Sequence, residues 1–504
     1  MTEQFDLLVV GGGINGAGIA RDASGRGLSV LLCEKDDLAA HTSSWSSKLI
    51  HGGLRYLEYY EFRLVREALI EREVLLRAAP MMVRPLRFVL PHSPEQRPAW
   101  LVRLGLFLYD HLGGRKILPA SGKAPLGDTP EGRPLQDWVS QAFYYSDAQV
   151  DDSRLVVLNA LAAREQGARI LTRTRCRKAR REGGLWVAEL EDTRSGEVRT
   201  VKARALVNAA GPWVSHFLQD DLALDTKSRV RLVKGSHIVT RRLHDGDHAY
   251  ILQNHDNRIV FVIPWLGEFS LIGTTDIPYE GAPQDVRISP EETRYLLDVV
   301  NRYFKKPVAE SDIVWSYAGV RPLYDDASAN PSAVTRDYTF DLNVPDRQAP
   351  LLSIFGGKIT TYRKLAEHAV QKLAPHLGVT KGDWTAGVPL PGGGFDDPAR
   401  YAETLRHKRP WLPERLARRL VAAYGTRAEA LLDGANGLDD LGPCYGADLY
   451  EAEVRFLIDE EWATSAQDIL WRRSKLGLVV GEDCVQRLEE RIGRKAPERE
   501  VDAA

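Results

Sequence analysis

The chain has 504 residues, a formal net charge of −2, 44% hydrophobic and 27% charged residues, the make-up of an ordinary globular protein large enough for two or three domains with their own cores. The near-zero charge excludes the basic footprint expected of a nucleic-acid binder. Cys33, Cys176, Cys444 and Cys484 lie far apart without a C-x-x-C pair, which excludes a disulfide frame or a zinc site and fits reduced thiols in a reducing, cytoplasmic compartment.

The apolar run Phe5–Val10 reads as a strand that turns through glycines into a helix of small residues, with no signal-peptide pattern ahead of it. Gly11, Gly13 and Gly16, with Ile14 and Asn15 between them, fit G-x-G-x-x-G, and Glu34 ends the next apolar run, Leu28–Cys33. That spacing predicts a dinucleotide whose pyrophosphate meets the helix N-terminus, where unpaired N–H groups and the helix dipole attract anions, and whose adenosine ribose meets Glu34. A hydroxyl-rich loop, His41–Ser47, and Lys48 follow, then a helical pattern over about 61–79 and a proline-broken stretch.

The segment Pro98–Tyr109 is densely apolar, carries Trp100, Phe107 and Tyr109, and is flanked by Arg97, Arg103, Arg115 and Lys116. It is too short to span a membrane, and its pattern fits a helix lying in a membrane interface as well as a buried core helix. A helix at 152–167 precedes alternating strands that end at Ala205–Trp213, where small residues before Gly211 and Pro212 mark a close backbone approach to a ligand. From 229 to about 341 the pattern is β-rich with one helix near 290–304, as in an antiparallel sheet inserted as a second domain. A last strand, 350–355, runs into Gly356, Gly357 and Lys358 and a helix over 360–373. After a Pro/Gly linker, 397–494 reads as helical; its charged faces suit a homodimer contact, a membrane contact or a solvated cap equally.

The first βαβ unit is not followed by the further βαβ units of an NAD dehydrogenase, and a second helix N-terminus arrives from distant sequence. This favours a larger cofactor held at both ends, a flavin. The runs Val10–Gly27 and Gly356–Ala366 resemble the two signatures of the FAD-dependent glycerol-3-phosphate dehydrogenases, closest to the bacterial aerobic type. Ser46–Tyr56, Lys234–His237, Ile272–Asp276 and Gly319–Pro322 are similar to further motifs of that family, so the likeness is close to full length.

The resemblance implies an α/β fold. A Rossmann-like FAD-binding domain of the glutathione-reductase/D-amino-acid-oxidase type would comprise 1–80, 145–225 and 345–375; an antiparallel β-rich substrate domain would be inserted as 81–144 and 226–344; a helical domain would occupy 390–504. It implies oxidation of sn-glycerol 3-phosphate to dihydroxyacetone phosphate, with electrons passing from non-covalent FAD to a membrane quinone at the inner face of the cell membrane. The alternative is a flavin oxidase of the same fold that uses oxygen, acting on glycerophosphate or an amine.

Three tasks follow from that reaction: a dianion clamp, a proton acceptor for the C2 hydroxyl, and positive charge near the flavin. The likeness places Arg55, Arg321 and Arg336 at the substrate, with Tyr56 beside Arg55; arginine suits phosphate because its planar fork binds two oxygens. Lys358 and the helix after Gly357 supply charge to the flavin, with Thr360 on the same turn. His237 is preferred to His51 as base, because His51 sits where the backbone must serve the cofactor. Thr42, Ser43, Ser47 and Lys48 are expected on the ribityl and phosphate groups, and Gly211 at the cofactor; no metal is expected.

Overall fold

The near-continuous apolar runs within Phe5–Val10 and Leu28–Cys33 give two short strands, Gln4–Val10 and Val30–Cys33, whose apolar residues are buried on both faces, the mark of parallel strands covered by helices. The computed structural model describes residues 2–93, 96–224, 229–256, 258–325 and 337–493. The chain divides into two compact units, Met1–Leu390 and Pro391–Ala504.

Two sheets build the first unit. In one, the strands run in the order Leu351–Gly356, Val198–Asn208, Gln4–Val10, Val30–Cys33, Arg169–Leu171, all parallel. Tyr338–Asn343 adds an antiparallel edge, and the hairpin Thr174–Glu182 and Leu185–Asp192 pairs with the first half of Val198–Asn208. Helices Ile14–Gly25, Asp152–Glu165 and Tyr362–Leu377 pack together on this sheet. Strand order reverses direction about Gln4–Val10, so the crevice outside its carboxyl end is where a Rossmann-like fold takes its ligand.

The second sheet is mainly antiparallel. Val230–Arg241 pairs with Phe269–Gly273 on one side and with Ile313–Tyr324 along nearly its whole length. The sheet continues through Ile259–Trp265, Ala249–Gln253, Val83–His92 and Gln141–Val150 to the short strand Leu49–Ile50. One face is covered by helix Pro290–Tyr303, which starts with a capping box between Ser289 and Glu292 and buries Leu296, Val300 and Tyr303 against Ile238, Tyr250, Val262 and Ile272. Residue 145 therefore lies inside a strand wholly in the second sheet, and Tyr338–Asn343 lies in the first. Periodicity marks a strand but not the sheet that it joins.

The second unit is a helical cluster: Pro398–Lys408, Glu414–Tyr424, Glu451–Glu461 and Glu482–Gly493 bury Leu405, Leu416, Leu420, Tyr424, Leu457 and Leu488. A hairpin of Cys444–Gly446 and Leu449–Tyr450 interrupts the expected run of helices.

Candidate functional site

The glycine turn is set by steric fit. Gly11 has φ +113°, a left-handed value that disfavours any side chain, and a Cβ there would meet the Ala209 carbonyl oxygen at 2.4 Å. A Cβ on Gly16 would lie 1.9 Å from the Gly11 carbonyl oxygen, so only glycine lets helix Ile14–Gly25 start this close to the strand. Gly13, the residue before that helix, offers no side-chain cap, and the Ile14 N–H donates to Ser43 Oγ at 3.0 Å. Glu34 is buried and accepts from the Gly12 N–H (2.6 Å) and the Asp36 N–H (2.9 Å). Burial raises its carboxyl pKa, and the two N–H groups work against that shift.

From the other side come Gly356, Gly357 and Lys358, at the end of strand Leu351–Gly356. Asn15 Nδ2 donates to the Gly356 carbonyl at 3.2 Å, while Asn15 Oδ1 is buried with no hydrogen-bond partner among the described residues. A buried acceptor of this kind calls for a donor from a bound group. The glycine cradle, the helix N-terminus, Glu34 and this open acceptor together fit a dinucleotide of the FAD type.

Signature residues beyond G-x-G-x-x-G have a packing role. A Cβ on Gly18 would lie 2.8 Å from the Tyr362 ring and one on Gly25 would lie 2.0 Å from the Trp384 ring. Arg21 donates to the Val388 carbonyl (2.9 Å), and Asp22 pairs with Arg26, which reaches Asp383 at 2.9 Å. Burial lifts the Asp22 carboxyl to about 6. These residues hold the first cofactor helix against helix Tyr362–Leu377 and the segment 383–388 that follows it.

The second sheet supplies the remaining groups. The Arg321 guanidinium donates to Asp276 Oδ1 (2.5 Å) and Thr274 Oγ1 (3.0 Å), and Gly235 on the neighbouring strand leaves room for it. His51 carries a pKa pushed down to about 4, first by burial and then by the positive charges of Lys358 and Arg321. The His51 backbone N–H donates to Thr360 Oγ1 at 3.2 Å. Lys358 Nζ lies 3.8 Å from the centre of the Tyr56 ring. Lys358, Tyr56, Thr360, His51 and Arg321 thus gather where the two sheets meet.

His237 is placed differently. It is 1% exposed, stacks on Tyr317 at 4.7 Å, and has Nε2 2.9 Å from Ser47 Oγ. Burial, with Arg321 and Lys48 nearby, holds its pKa well below the ordinary value. Thr42 Oγ1 donates to the Val320 carbonyl (2.8 Å) and Tyr317 Oη to the Ser46 carbonyl (2.7 Å), so the hydroxyl loop is laid along strand Ile313–Tyr324. The Lys48 ammonium turns inward to both Asp152 carboxyl oxygens (2.9 and 3.0 Å) and the Ser44 carbonyl (2.8 Å), away from the phosphate role expected of it. Arg55 contacts Tyr59 Oη at 3.4 Å. Gly211 has φ +56° and open space where a Cβ would stand. Arg336 lies outside the described residues.

Sequence reasoning missed the support beneath His51. The Gly52 N–H donates to Tyr109 Oη at 2.8 Å, and Tyr109 donates to Asp147, which Arg72 also binds at 2.6 Å. All three side chains are buried. Tyr109 is read from the sequence as one more aromatic of an apolar segment; in the structure it and Leu106 are the two buried residues of helix Ala99–Leu112. Asp276 and Thr274 stand in a motif noted above, but nothing local assigns them to Arg321.

A family model described as FAD dependent oxidoreductase matches residues 6–363, and one described as the C-terminal domain of alpha-glycerophosphate oxidase matches 384–503. The chain is 57% identical over 501 residues to a glycerol-3-phosphate dehydrogenase of Pseudomonas aeruginosa, covering 99% of this chain and 97% of that relative. It is 56% identical over 478 residues to a D-erythritol 1-phosphate dehydrogenase of Brucella abortus, covering 94% of each. Among solved structures, the glycerol-3-phosphate dehydrogenase of Bacillus halodurans complexed with FAD aligns at TM-score 0.77 and 26% identity, over 98% of this chain and 91% of that one.

Proposed function

The chain belongs to the family of FAD-dependent oxidoreductases, and from that premise we propose that it oxidises the C2 hydroxyl of sn-glycerol 3-phosphate to dihydroxyacetone phosphate. The observation that carries this reading is the meeting of Arg321, Lys358 and His51: two cations and a neutral imidazole whose pKa both cations depress. Bound FAD supplies the acceptor for the hydride from C2. The chain supplies the rest. Gly13, Ile14 and Ser43 at the helix start receive the pyrophosphate, and Glu34 the ribose. Arg321, held by Asp276 and Thr274, clamps the substrate phosphate with Arg55, while Lys358 offsets negative charge on the reduced ring. His51, neutral at physiological pH, takes the C2 hydroxyl proton; His237 orients Ser47 from the buried side of the loop.

The electron acceptor is a membrane quinone. Helix Ala99–Leu112 supports this, with Trp100 67% and Phe107 57% exposed on a face that also shows Leu101, Leu104 and Leu108, as an interfacial helix would. No described helix is long and apolar enough to cross a membrane.

The test is an anaerobic titration of the yellow holoenzyme with glycerol 3-phosphate, D-erythritol 1-phosphate and glycerol. Bleaching by glycerol 3-phosphate with the highest rate constant per concentration is expected. Absence of bleaching, or a preference for the four-carbon phosphate, refutes the substrate assignment. Rapid peroxide formation in air without added quinone refutes the acceptor.

A further inference from the structure

Away from the flavin crevice, a cavity of about 780 Å³ opens at the far end of strand Val230–Arg241, within the range of small-molecule sites. It is walled by the loop 242–248, by 130–134, by Arg87 and by the residues that follow helix Pro290–Tyr303. Two histidines, His244 and His248, line it and stack on each other at 4.8 Å. They are only 7% and 6% exposed, yet both ring nitrogens of His244 and Nε2 of His248 have no hydrogen-bond partner among the described residues. Tyr250 packs edge-on beneath both rings and against Phe304, and Tyr250 Oη is itself occupied by the Glu131 carbonyl at 2.8 Å.

The charges around this floor favour an anion. Arg87, Arg133, Arg242, Lys305 and Lys306 line the cavity against three acids, Glu131, Asp245 and Asp247. Asp247 is held by Arg242 (2.9 Å), Glu131 faces Arg87 (3.8 Å), Arg133 pairs with Asp128 (3.0 Å) and Lys305 with Asp137 (2.8 Å). Lys306 makes no ion pair among the described residues. A neutral imidazole presents one N–H donor and one bare nitrogen. Both kinds of group need a partner, and the described residues supply none to three of these nitrogens.

We propose that this cavity is a second anion site, separate from the catalytic one, and that it takes a small phosphate-bearing metabolite. Gly235, beside Arg321, lies six residues before Arg241 on one strand, about 20 Å at ~3.3 Å per residue. A ligand of this size in the cavity does not reach the reacting atoms.

Calorimetric titration of the FAD-loaded full chain with pyrophosphate, orthophosphate and ribose 5-phosphate tests the proposal. Binding is expected in the wild type and in Arg321→Gln, weakened at least tenfold in the rim variant Arg87→Gln/Lys306→Gln and in His244→Phe. The rim substitutions are at exposed positions, should leave turnover unchanged, and so guard against a folding defect in His244→Phe. Tighter binding of ribose 5-phosphate than of orthophosphate supports a phosphate ester as ligand. Equal binding assigns the site to free phosphate. No binding by the wild type, or binding lost in Arg321→Gln and intact in the rim variant, overturns the proposal.

Discussion

Replacing His51 by Gln removes the group that this site offers as proton acceptor, and the structure sets both the size and the pH signature of the effect. A positioned general base contributes roughly 10²–10⁴-fold to rate, so kcat for flavin reduction should fall by that factor, while His237→Gln should lower stability more than it lowers kcat in the surviving enzyme. Because burial, Lys358 and Arg321 hold His51 at about 4, the ring is already neutral at pH 5. An ordinary histidine near 6.5 would lose about 30-fold of its basic form between pH 8 and 5. Ionisation of the substrate phosphate, near pH 6, adds a limb of its own, which the variant shares. The quantity to plot is therefore the ratio of wild-type to His51→Gln kcat/KM, measured by stopped-flow bleaching under anaerobic conditions. It should stay flat from pH 8 to 5 and decline only as pH falls through about 4. The stability sign follows from the same depression: below about 6.5 the unfolded chain takes up the proton that the folded one refuses, so His51 costs about 2 kcal/mol of stability at pH 5 and nothing above pH 7.5. Less is expected for the part of the ring that meets solvent. A variant with more than one-tenth of wild-type kcat, or a ratio that falls about 30-fold between pH 8 and 5, refutes the assignment.

Gly16→Ala should yield protein with almost no bound flavin, read from its visible absorbance, since the new Cβ would stand 1.9 Å from the Gly11 carbonyl oxygen. Asp147→Asn strips a buried charge from between Arg72 and Tyr109 and should cost about 3–5 kcal/mol in chemical denaturation; Tyr109→Phe, which loses the hydrogen bond from Gly52 and its own bond to Asp147, should cost about 2–3 kcal/mol. Trp100→Asp/Phe107→Asp should abolish co-sedimentation with phospholipid vesicles and leave turnover with a soluble dye within about twofold, because both side chains point to solvent.

What could be read in the sequence follows the range of the forces involved. The glycine turn is local: Gly11 and Gly16 are demanded by atoms within a few residues or on the adjoining strand, so spacing alone finds them. Glu34 is found because a βαβ unit has nearly fixed length. The site beyond the pyrophosphate is assembled from segments hundreds of residues apart, and there sequence reasoning chose His237 for its strand-end setting and Lys48 for its loop. Both are drawn inward by partners far along the chain, Tyr317 and Asp152. His51 reads in the sequence as a place where the backbone serves the cofactor. Its depressed pKa depends on Lys358 and Arg321, neither of which is a sequence neighbour.

Strand Val230–Arg241 shows how one element can serve two sites without merging them. At Gly235 it lacks a side chain, and the space admits the Arg321 guanidinium from the paired strand Ile313–Tyr324. At its other end Arg242 donates to the carbonyls of His244, Asp245, Gly246 and Gly267 and so folds the following loop over the cavity. Between them lie Ile238 and Val239, wholly buried and fixed on both sides by ladder partners. The strand keeps its ladder partners up to the bulge at Val239/Thr240, which separates the Gly235 end from the Arg242 end. Occupation of the cavity should therefore change the temperature at which the substrate sheet unfolds while leaving the Arg321–Asp276 pair, and with it the KM for the substrate, where it stands.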